Sequence, residues 1–168
     1  MKESNTGSYK HDSGEGLYRR SLYTFWKRQA PPATMEIFNA PSRETCTVRR
    51  ERGDTPLQAL AALNDEQFVE AARHLAELSL KSDCSGDDAR IDFMAERVLG
   101  RPLKPEEKRI ATANLKDLLS YYSEAPKESS ELLTVGEKKA DSSLPAPKLA
   151  AYAMLANELM NLDEVLNK

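Results

Sequence analysis

A helix start signal, Thr55-Pro56-Leu57-Gln58, constrains the fold of this chain more than any other feature. It places a hydroxyl at the N-cap, proline at the first helical position and glutamine at the third, which is the pattern of a capping box. We expect the helix to break at Asn64-Asp65, because a buried asparagine would need hydrogen-bond partners, and Asp65 to cap a second helix that ends near Leu80. Apolar residues recur at helical spacing through both helices: Leu57, Leu60, Ala61, Phe68, Ala72 and Leu75.

Start and stop signals predict three longer helices in the rest of the chain. Asp88 caps the first, which ends at Gly100, a residue typical of helix C-termini. Pro105 opens the second and Pro147 the third, with a short helix at Glu128–Leu133 in the otherwise irregular stretch between them. The predicted core faces of the three longer helices comprise Ile91, Met94, Ala95, Val98, Ile110, Leu115, Leu118, Leu119, Tyr122, Leu149, Tyr152, Ala153, Ala156, Leu159 and Met160.

The first third of the chain has a less regular pattern. Residues 1–16 are rich in Gly, Ser and charge, which predicts a disordered tail or linker. The composition of the next stretch, LYRRSLYTFWKRQ, favours an extended strand, although Tyr18, Leu22 and Trp26 also fit helical spacing. Pro31-Pro32 end this stretch in either case, since a proline disfavours helix at the residue before it.

The overall pattern is typical of a mainly α protein. We expect a helical bundle of about five to six helices, with an irregular or partly extended N-terminal third, forming one domain over residues 17–168. A content of 40% hydrophobic and 30% charged residues is typical of a globular protein. Since no apolar run reaches about 18 residues, no membrane span is predicted. Residues 1–16 carry no hydrophobic region of a signal peptide, which indicates an intracellular protein or a piece of a longer one.

Charge is distributed unevenly along the chain. Between Leu17 and Arg52 there are eight basic and three acidic residues, a balance of +5 in a chain whose net charge is −3. The whole domain is therefore not basic, and we expect no nucleic-acid partner. Cys46 and Cys84 lie far apart and outside any CxxC motif, which favours two reduced thiols over one disulfide.

The sequence predicts no catalytic or metal site. His11 lies in the predicted tail, and His74 has no histidine or cysteine near it, whereas zinc needs three or four clustered ligands. No nucleophile elbow, phosphate-binding loop or dinucleotide-binding fingerprint is present, and no two carboxylates are spaced as glycoside hydrolysis requires. We therefore assign no catalytic residue, no metal ligand and no cofactor to this chain.

An arginine-rich loop is the first of two candidate binding features. Arg43, Arg49, Arg50 and Arg52 lie within ten residues of one another. Because guanidinium groups bind carboxylates, sulfates and phosphates through paired hydrogen bonds, the loop is a candidate anion site to which Trp26 contributes. The alternative is that these arginines tie the loop to helix C-termini and to neighbouring glutamates.

An aromatic cluster beside basic residues is the second candidate. Tyr18, Tyr23, Phe25 and Trp26 lie beside the basic residues Arg19, Arg20, Lys27 and Arg28. Such a combination stacks on sugars or bases in some proteins, but a core strand or a protein interface is the commoner use of aromatic residues. In the last helix, Asn157, Asn161 and Asp163 flank the apolar face, where capping and interhelical hydrogen bonds account for them.

The same residues carry a resemblance to a known family. The stretch YRRSLYTFWKRQAPPATMEIFNAPSRETCTVRRERGDTPLQALAALND, followed by FVEAAR, closely resembles the hallmark of a planctomycete family, domain of unknown function 1553. The ending LAAYAMLANELMNLDEVLNK resembles that family's C-terminal signature, so the resemblance spans about residues 16 to 168. Departures at Gly53-Asp54, Glu66 and Tyr152 replace Thr-Asn, proline and tryptophan of the usual pattern and leave the expected fold unchanged.

The resemblance implies a context rather than a reaction. Family members look like large exported proteins in which this region forms the C-terminal end, often with a cytochrome c domain, but this chain has no CxxCH motif and no haem is expected. The leading hypothesis is a non-catalytic helical interaction or structural module that packs against upstream domains or a partner protein through Tyr18, Tyr23, Phe25 and Trp26. The alternatives are a part-site for an anionic or sulfated carbohydrate in the Arg43–Arg52 loop and a catalytic half-site completed by other domains.

Overall fold

Helices dominate the part of the chain that the structure describes. In this computed structural model the described residues are Lys10 and residues 12–27, 30–42 and 44–166. The eight α-helices are α1 (Ala33–Ile37), α2 (Pro56–Asn64), α3 (Glu66–Lys81), α4 (Asp87–Leu99), α5 (Pro105–Glu124), α6 (Pro126–Leu133), α7 (Ala146–Met160) and α8 (Asp163–Leu166). Six of them have eight residues or more, so the prediction of a mainly α bundle of about five to six helices is confirmed.

Helix α7 lies at the centre of the bundle, with α2, α3, α4, α5 and α6 packed around it. It is buried on all sides, which is typical of a helix that is apolar around its whole circumference. Its buried residues are Leu149, Ala150, Ala151, Tyr152, Ala153, Leu155, Ala156, Asn157 and Leu159. Four of these residues are alanines, whose short side chains allow a neighbouring helix to approach closely. Ala72 and Ala76 are the buried alanines of α3, so α3 and α7 pack closely together.

The predicted capping box at the start of α2 is confirmed. The hydroxyl of Thr55 accepts a hydrogen bond of 3.2 Å from the backbone N–H of Gln58, and the Gln58 side chain accepts one of 3.2 Å from the N–H of Thr55. The Gln58 amide is buried and also donates to the carbonyl of Ile37 at 2.8 Å, which fastens the end of α1 to the start of α2. The predicted break is present as well, and Asp65 caps α3 by accepting from the N–H of Gln67 at 2.9 Å.

Three residues that the helical spacing places on apolar faces are exposed instead, two in α2 and one in α5. Leu57 and Leu60 of α2 are 54% and 57% exposed, because α2 packs on its neighbours through the opposite face, which carries Gln58 and Ala62. In α5, Ile110 is 58% exposed because the helix buries the adjacent position, Ala111, instead. The remaining predicted core residues of α5 and α7 are buried or half-buried.

The start of α4 differs from the prediction, whereas its end agrees with it. Gly86, with φ of 92°, is the N-cap in place of Asp88, because this glycine lets the chain turn into the helix two residues earlier. Asp87 in the first turn then accepts a hydrogen bond of 2.7 Å from the buried hydroxyl of Tyr152, which ties α4 to α7. Gly100 ends α4 in the left-handed conformation with φ of 74°, as predicted.

The described residues 17–27 of the stretch LYRRSLYTFWKRQ form neither the strand nor the α-helix that the sequence left open. Two short 3-10 helices, Gly14–Tyr18 and Ser21–Tyr23, are followed by an isolated bridge between Lys27 and Ala30. Most of the predicted tail, residues 1–16, lies outside the described residues, so its disorder and the boundary at residue 16 stay predictions.

Candidate interaction surface

The aromatic cluster predicted from the sequence lies largely at the protein surface. Leu22, Tyr23 and Phe25 are 75%, 70% and 57% exposed, and Trp26 is half-buried. Arg19 and Arg20 beside them are exposed as well. This segment therefore presents large apolar side chains and positive charges to solvent side by side, and we refer to residues 19–26 as the aromatic–basic segment.

Tyr18, the fourth aromatic residue of the predicted interface, has a different role because its hydroxyl points into the fold. It donates a hydrogen bond of 2.6 Å to a carboxylate oxygen of Glu70 on α3. That bond to an anion, helped by partial burial, raises the pKa of Tyr18 to about 12. The ammonium of Lys138 lies 4.6 Å from the centre of the Tyr18 ring, a favourable cation–π distance. Tyr18 thus anchors the start of the aromatic–basic segment to the bundle.

A second contact holds the preceding residues against the same place. The backbone N–H of Gly14 donates to both carboxylate oxygens of Glu137, at 2.8 and 2.9 Å. Glu137 in turn donates its own backbone N–H to Glu70 at 2.7 Å. The described residues before the aromatic–basic segment are therefore attached to the loop between α6 and α7 through Gly14 and to α3 through Tyr18.

The Glu70 carboxylate is almost fully buried and is surrounded by donors. Burial alone would raise its pKa, but the hydrogen bonds from Tyr18 and from the backbone N–H groups of Glu137 and Lys138, with the charge of Arg73, outweigh that effect. The net result is a lowered pKa, so Glu70 is an anion at neutral pH. Such a carboxylate accepts hydrogen bonds and holds the loop in place.

Arg73 and Glu77 continue a row of buried charged residues along α3, one helical turn apart. Arg73 donates to the carbonyls of Leu133, Val135 and Lys138 at 2.9, 2.7 and 2.5 Å. Glu77 accepts from the backbone N–H of Asp141 at 3.1 Å. The row therefore satisfies the backbone of the irregular loop between α6 and α7, which explains how a loop without helix or strand is fixed against the core.

The charged row on α3 was missed by the sequence reasoning, although a signal was present. Glu70, Arg73 and Glu77 recur at spacings of three and four on the same helix as Ala72 and Ala76. A helix whose buried face carries charges at this spacing needs partners in a neighbouring segment, and the irregular stretch before α7 is where those partners lie.

The described residues of the arginine-rich loop lie at the protein surface. Arg49, Arg50 and Arg52 are exposed, and none of them has a hydrogen bond or ion pair within the described part of the chain. Arg43 falls outside the described residues. The three described arginines are thus available to an anion or to a protein surface.

Two concave sites occur elsewhere, and neither contains a residue of the predicted anion site. A groove of about 570 Å3 between α4 and α5 is lined by charges of both signs, of which Lys108 bonds Asp92 at 2.6 Å and Asp88 accepts from Thr112 at 3.1 Å. A smaller one of about 290 Å3 lies where the N-terminal segment meets α3, and Asp12, Glu66, Glu70 and Glu137 make it acidic.

Three further observations concern classes of site. Among the described residues no group of three or more His, Cys, Asp and Glu side chains is arranged to hold a metal ion. Cys46 and Cys84 are free thiols, the first exposed and the second half-buried. None of the helices in the described ranges is long and apolar enough to cross a membrane.

Comparison with known proteins gives one match. The model of a family described as PSD1, protein of unknown function (DUF1553), matches residues 1–115. This range includes the aromatic–basic segment, the arginine-rich loop and α1 to α4, whereas α6 to α8 lie beyond it. Neither a curated protein nor a solved structure matches the chain significantly.

Proposed function

The chain belongs to the family of unknown function DUF1553, and we propose that it is a non-catalytic helical module that packs against another part of a longer protein or against a partner protein. The surface that makes this contact is the aromatic–basic segment. The longer protein is of the exported planctomycete type that the sequence resemblance implies.

The exposure of three large apolar side chains within four positions is the observation that carries this proposal. Leu22, Tyr23 and Phe25 are all more than half exposed, although Tyr18, four residues before Leu22, is hydrogen-bonded to the buried Glu70. Single exposed apolar residues are common, but a group of them beside positive charges is typical of interaction sites. Aromatic residues and arginine are also the residue types enriched in protein interfaces.

The anchoring of the segment supports the same role. Because Tyr18 and Gly14 fix its start to α3 and to the loop before α7, the exposed side chains are held in place before a partner binds. A preorganised surface loses less conformational entropy on binding than a flexible one. The buried charged row on α3 gives further support. Its side chains form hydrogen bonds with backbone groups of the segment between α6 and α7, so they have a structural role.

A binding experiment tests the proposal. The upstream region of a longer family member, produced separately, is titrated with this chain by calorimetry. We expect binding that the double variant Tyr23→Ala/Phe25→Ala weakens at least about tenfold, which corresponds to about 1.4 kcal/mol. Ile110→Ala is the matched control, because Ile110 is equally exposed but lies on α5. Absence of binding, or binding that the double variant leaves unchanged, contradicts the proposal.

An anion site in the arginine-rich loop is the second candidate, and the exposure of Arg49, Arg50 and Arg52 without described partners favours it. The probe is heparin, which represents sulfated carbohydrate. This candidate requires binding that weakens as salt rises and that is lost on Arg49→Ala, whereas Arg109→Ala, in an exposed arginine of α5, has no effect. Heparin binding that does not respond to Arg49→Ala excludes the loop as the site.

A further inference from the structure

The carboxylate of Glu70 joins two segments that are far apart in the chain. One of its oxygens, Oε1, accepts a hydrogen bond of 2.6 Å from the hydroxyl of Tyr18. The other, Oε2, accepts one of 2.7 Å from the backbone N–H of Glu137. Glu137 lies in residues 134–145 between α6 and α7, which we call the α6–α7 loop. A single buried anion on α3 therefore binds the N-terminal segment through one oxygen and this loop through the other.

Two further contacts join the α6–α7 loop directly to the N-terminal segment. The backbone N–H of Gly14 donates to both carboxylate oxygens of Glu137. The ammonium of Lys138 lies 4.6 Å from the centre of the Tyr18 ring. Because Gly14 and Tyr18 are the two ends of one 3-10 helix, these contacts and the two at Glu70 close a ring of segment, α3 and loop. The contacts of such a ring stabilise one another, since each holds the groups that the others need in position.

The α6–α7 loop also covers Glu70. A Cβ added at Gly136 would come within 2.8 Å of the Cβ of Glu70, so the loop backbone lies directly on this side chain, which is only 6% exposed. Arg73 holds the loop there through three backbone carbonyls of residues 133–138. A hydrogen bond that is shielded from water is stronger than one for which water competes. Opening of the loop would therefore expose the bond between Tyr18 and Glu70 to water and weaken it.

We propose that the α6–α7 loop controls the position of the aromatic–basic segment, and that Glu70 couples the two. This inference rests on the proposed function, in which the segment is the surface that contacts the partner. While the loop lies on Glu70, Tyr18 is held and the exposed side chains that follow it are fixed for binding. When the loop moves away, water replaces the Tyr18 hydroxyl at Glu70 and the segment is released. Because coupling between two sites is reciprocal, a partner bound to the segment stabilises the closed loop.

Quenching of Trp26 fluorescence by acrylamide tests the effect of the loop on the segment in the complete chain. Trp26 is the only tryptophan of the sequence and ends the aromatic–basic segment. Gly136→Ala pushes the loop off Glu70, so we expect the quenching constant to rise at least about 1.5-fold as the segment is released. Gly86→Ala is the matched control and leaves quenching unchanged, because Gly86 has the same φ of 92° with nothing within 4 Å of the added atom.

Glu137→Ala is a second loop variant, which decides the question if Gly136→Ala fails to fold. Glu137 is exposed, so its truncation leaves the core intact but removes the acceptor of the Gly14 N–H. We expect a rise in Trp26 quenching here as well. Glu131→Ala is the control, since it removes the same charge from an exposed position on α6 and leaves quenching unchanged.

Hydrogen exchange tests the coupling in the opposite direction. Tyr18→Phe removes the donor that the segment supplies to Glu70, and we expect the amides of residues 134–141 to exchange at least about fivefold faster. Tyr23→Phe is the control, because Tyr23 is exposed. The amides of the central helix α7 report global unfolding, so the rates in the loop are compared with theirs to separate opening of the loop from a loss of overall stability.

The proposal is overturned by unchanged Trp26 quenching in Glu137→Ala or in a folded Gly136→Ala protein. It is also overturned if Tyr18→Phe does not accelerate exchange in the loop relative to α7. Both measurements use the chain without a partner, so a failure to bind the upstream region contradicts the proposed function and leaves the coupling intact. Where that region binds, Glu137→Ala is expected to weaken its affinity about fivefold, and an unchanged affinity would show that the loop does not control binding.

Discussion

The hydroxyl of Tyr18 donates a hydrogen bond of 2.6 Å to the carboxylate of Glu70, which joins the N-terminal segment to a buried anion 52 residues further along the chain. Tyr18 itself is half exposed, while Glu70 is only 6% exposed. The bond therefore connects the surface at which we place the partner contact with the charged row that holds the loop before α7. Loss of this hydrogen bond would free the aromatic–basic segment from α3 and would also remove one donor from the buried Glu70 carboxylate.

Replacement of Tyr18 by phenylalanine tests this connection. Tyr18→Phe keeps the ring and its contact with Lys138 but deprives Glu70 of one donor, so we expect a lower free energy of unfolding. Tyr23→Phe is the matched control, because Tyr23 is 70% exposed and its loss of a hydroxyl is expected to be neutral. Urea unfolding followed by circular dichroism measures both. Equal unfolding midpoints for the two variants would show that the bond contributes nothing to stability.

The raised pKa of Tyr18 predicts a stability loss in alkali. An unfolded tyrosine ionises near pH 10, whereas the pKa of Tyr18 in the folded protein is about 12. The stabilising contribution is therefore fully present below pH 10 and declines as pH rises toward 12, because the unfolded state loses its proton first. Urea unfolding from pH 9 to 12 measures this slope. Other tyrosines also contribute to this pH dependence, so the parent protein is compared with Tyr18→Phe. The free energy of unfolding of the variant is expected to fall less steeply with pH than that of the parent.

Gly136 is required where the loop passes Glu70. Its φ of 92° is a conformation that favours glycine, and an added Cβ would contact the carboxylate and come within 2.8 Å of the Cβ of Glu70. We expect Gly136→Ala to cost roughly 2–4 kcal/mol, from backbone strain and from displacement of the buried carboxylate. Gly86→Ala separates the two causes, because Gly86 has the same φ of 92° with nothing within 4 Å of the added atom.

The difference between the two glycine variants is the informative result of that experiment. Gly86→Ala reports the strain alone and is expected to cost about 1–2 kcal/mol in urea unfolding. If Gly136→Ala costs no more than Gly86→Ala, the loop moves away from Glu70 without loss, and the close approach has no energetic consequence.

The sequence predicted the helices well because their ends carry local signals. The capping box at Thr55, the proline at Pro105 and the glycine at Gly100 act within a few residues, so each is readable without knowledge of the fold. The face that each helix buries depends on its neighbours instead. Leu57 and Leu60 fit the core pattern by spacing, yet the packing of α2 on α3 and α7 leaves them exposed.

The candidate site was predictable in composition but not in arrangement. The aromatic and basic residues of the N-terminal third were identifiable from the sequence, and most of the described ones are exposed. The contact of Tyr18 with Glu70 was not identifiable, because a hydrogen bond between residues 52 positions apart depends on the complete fold. The same applies to the three carbonyls that Arg73 binds in the loop before α7.

Substitution of the buried Arg73 is expected to lower the free energy of unfolding strongly. Arg73→Met retains the apolar stem but leaves three carbonyls of the loop without their donor, at a cost of roughly 2–4 kcal/mol. Arg109→Met, at an exposed position of α5, is expected to stay within about 0.5 kcal/mol of the parent. Urea unfolding measures both, and hydrogen exchange of residues 133–141 tests whether the loop is released. A stable Arg73→Met protein with an unchanged loop would refute the structural role of the row.

The N-cap of α2 offers a prediction about the stability that one local hydrogen bond provides. Thr55→Ala removes the acceptor for the N–H of Gln58 and is expected to cost about 1 kcal/mol in urea unfolding. Thr55→Ser retains the acceptor and Thr47→Ala lies in an exposed loop, so both are expected to stay near the parent value. Because α2 has only nine residues, loss of its cap frays its first turn. If Thr55→Ala and Thr47→Ala have the same free energy of unfolding, the cap contributes nothing and packing alone stabilises α2.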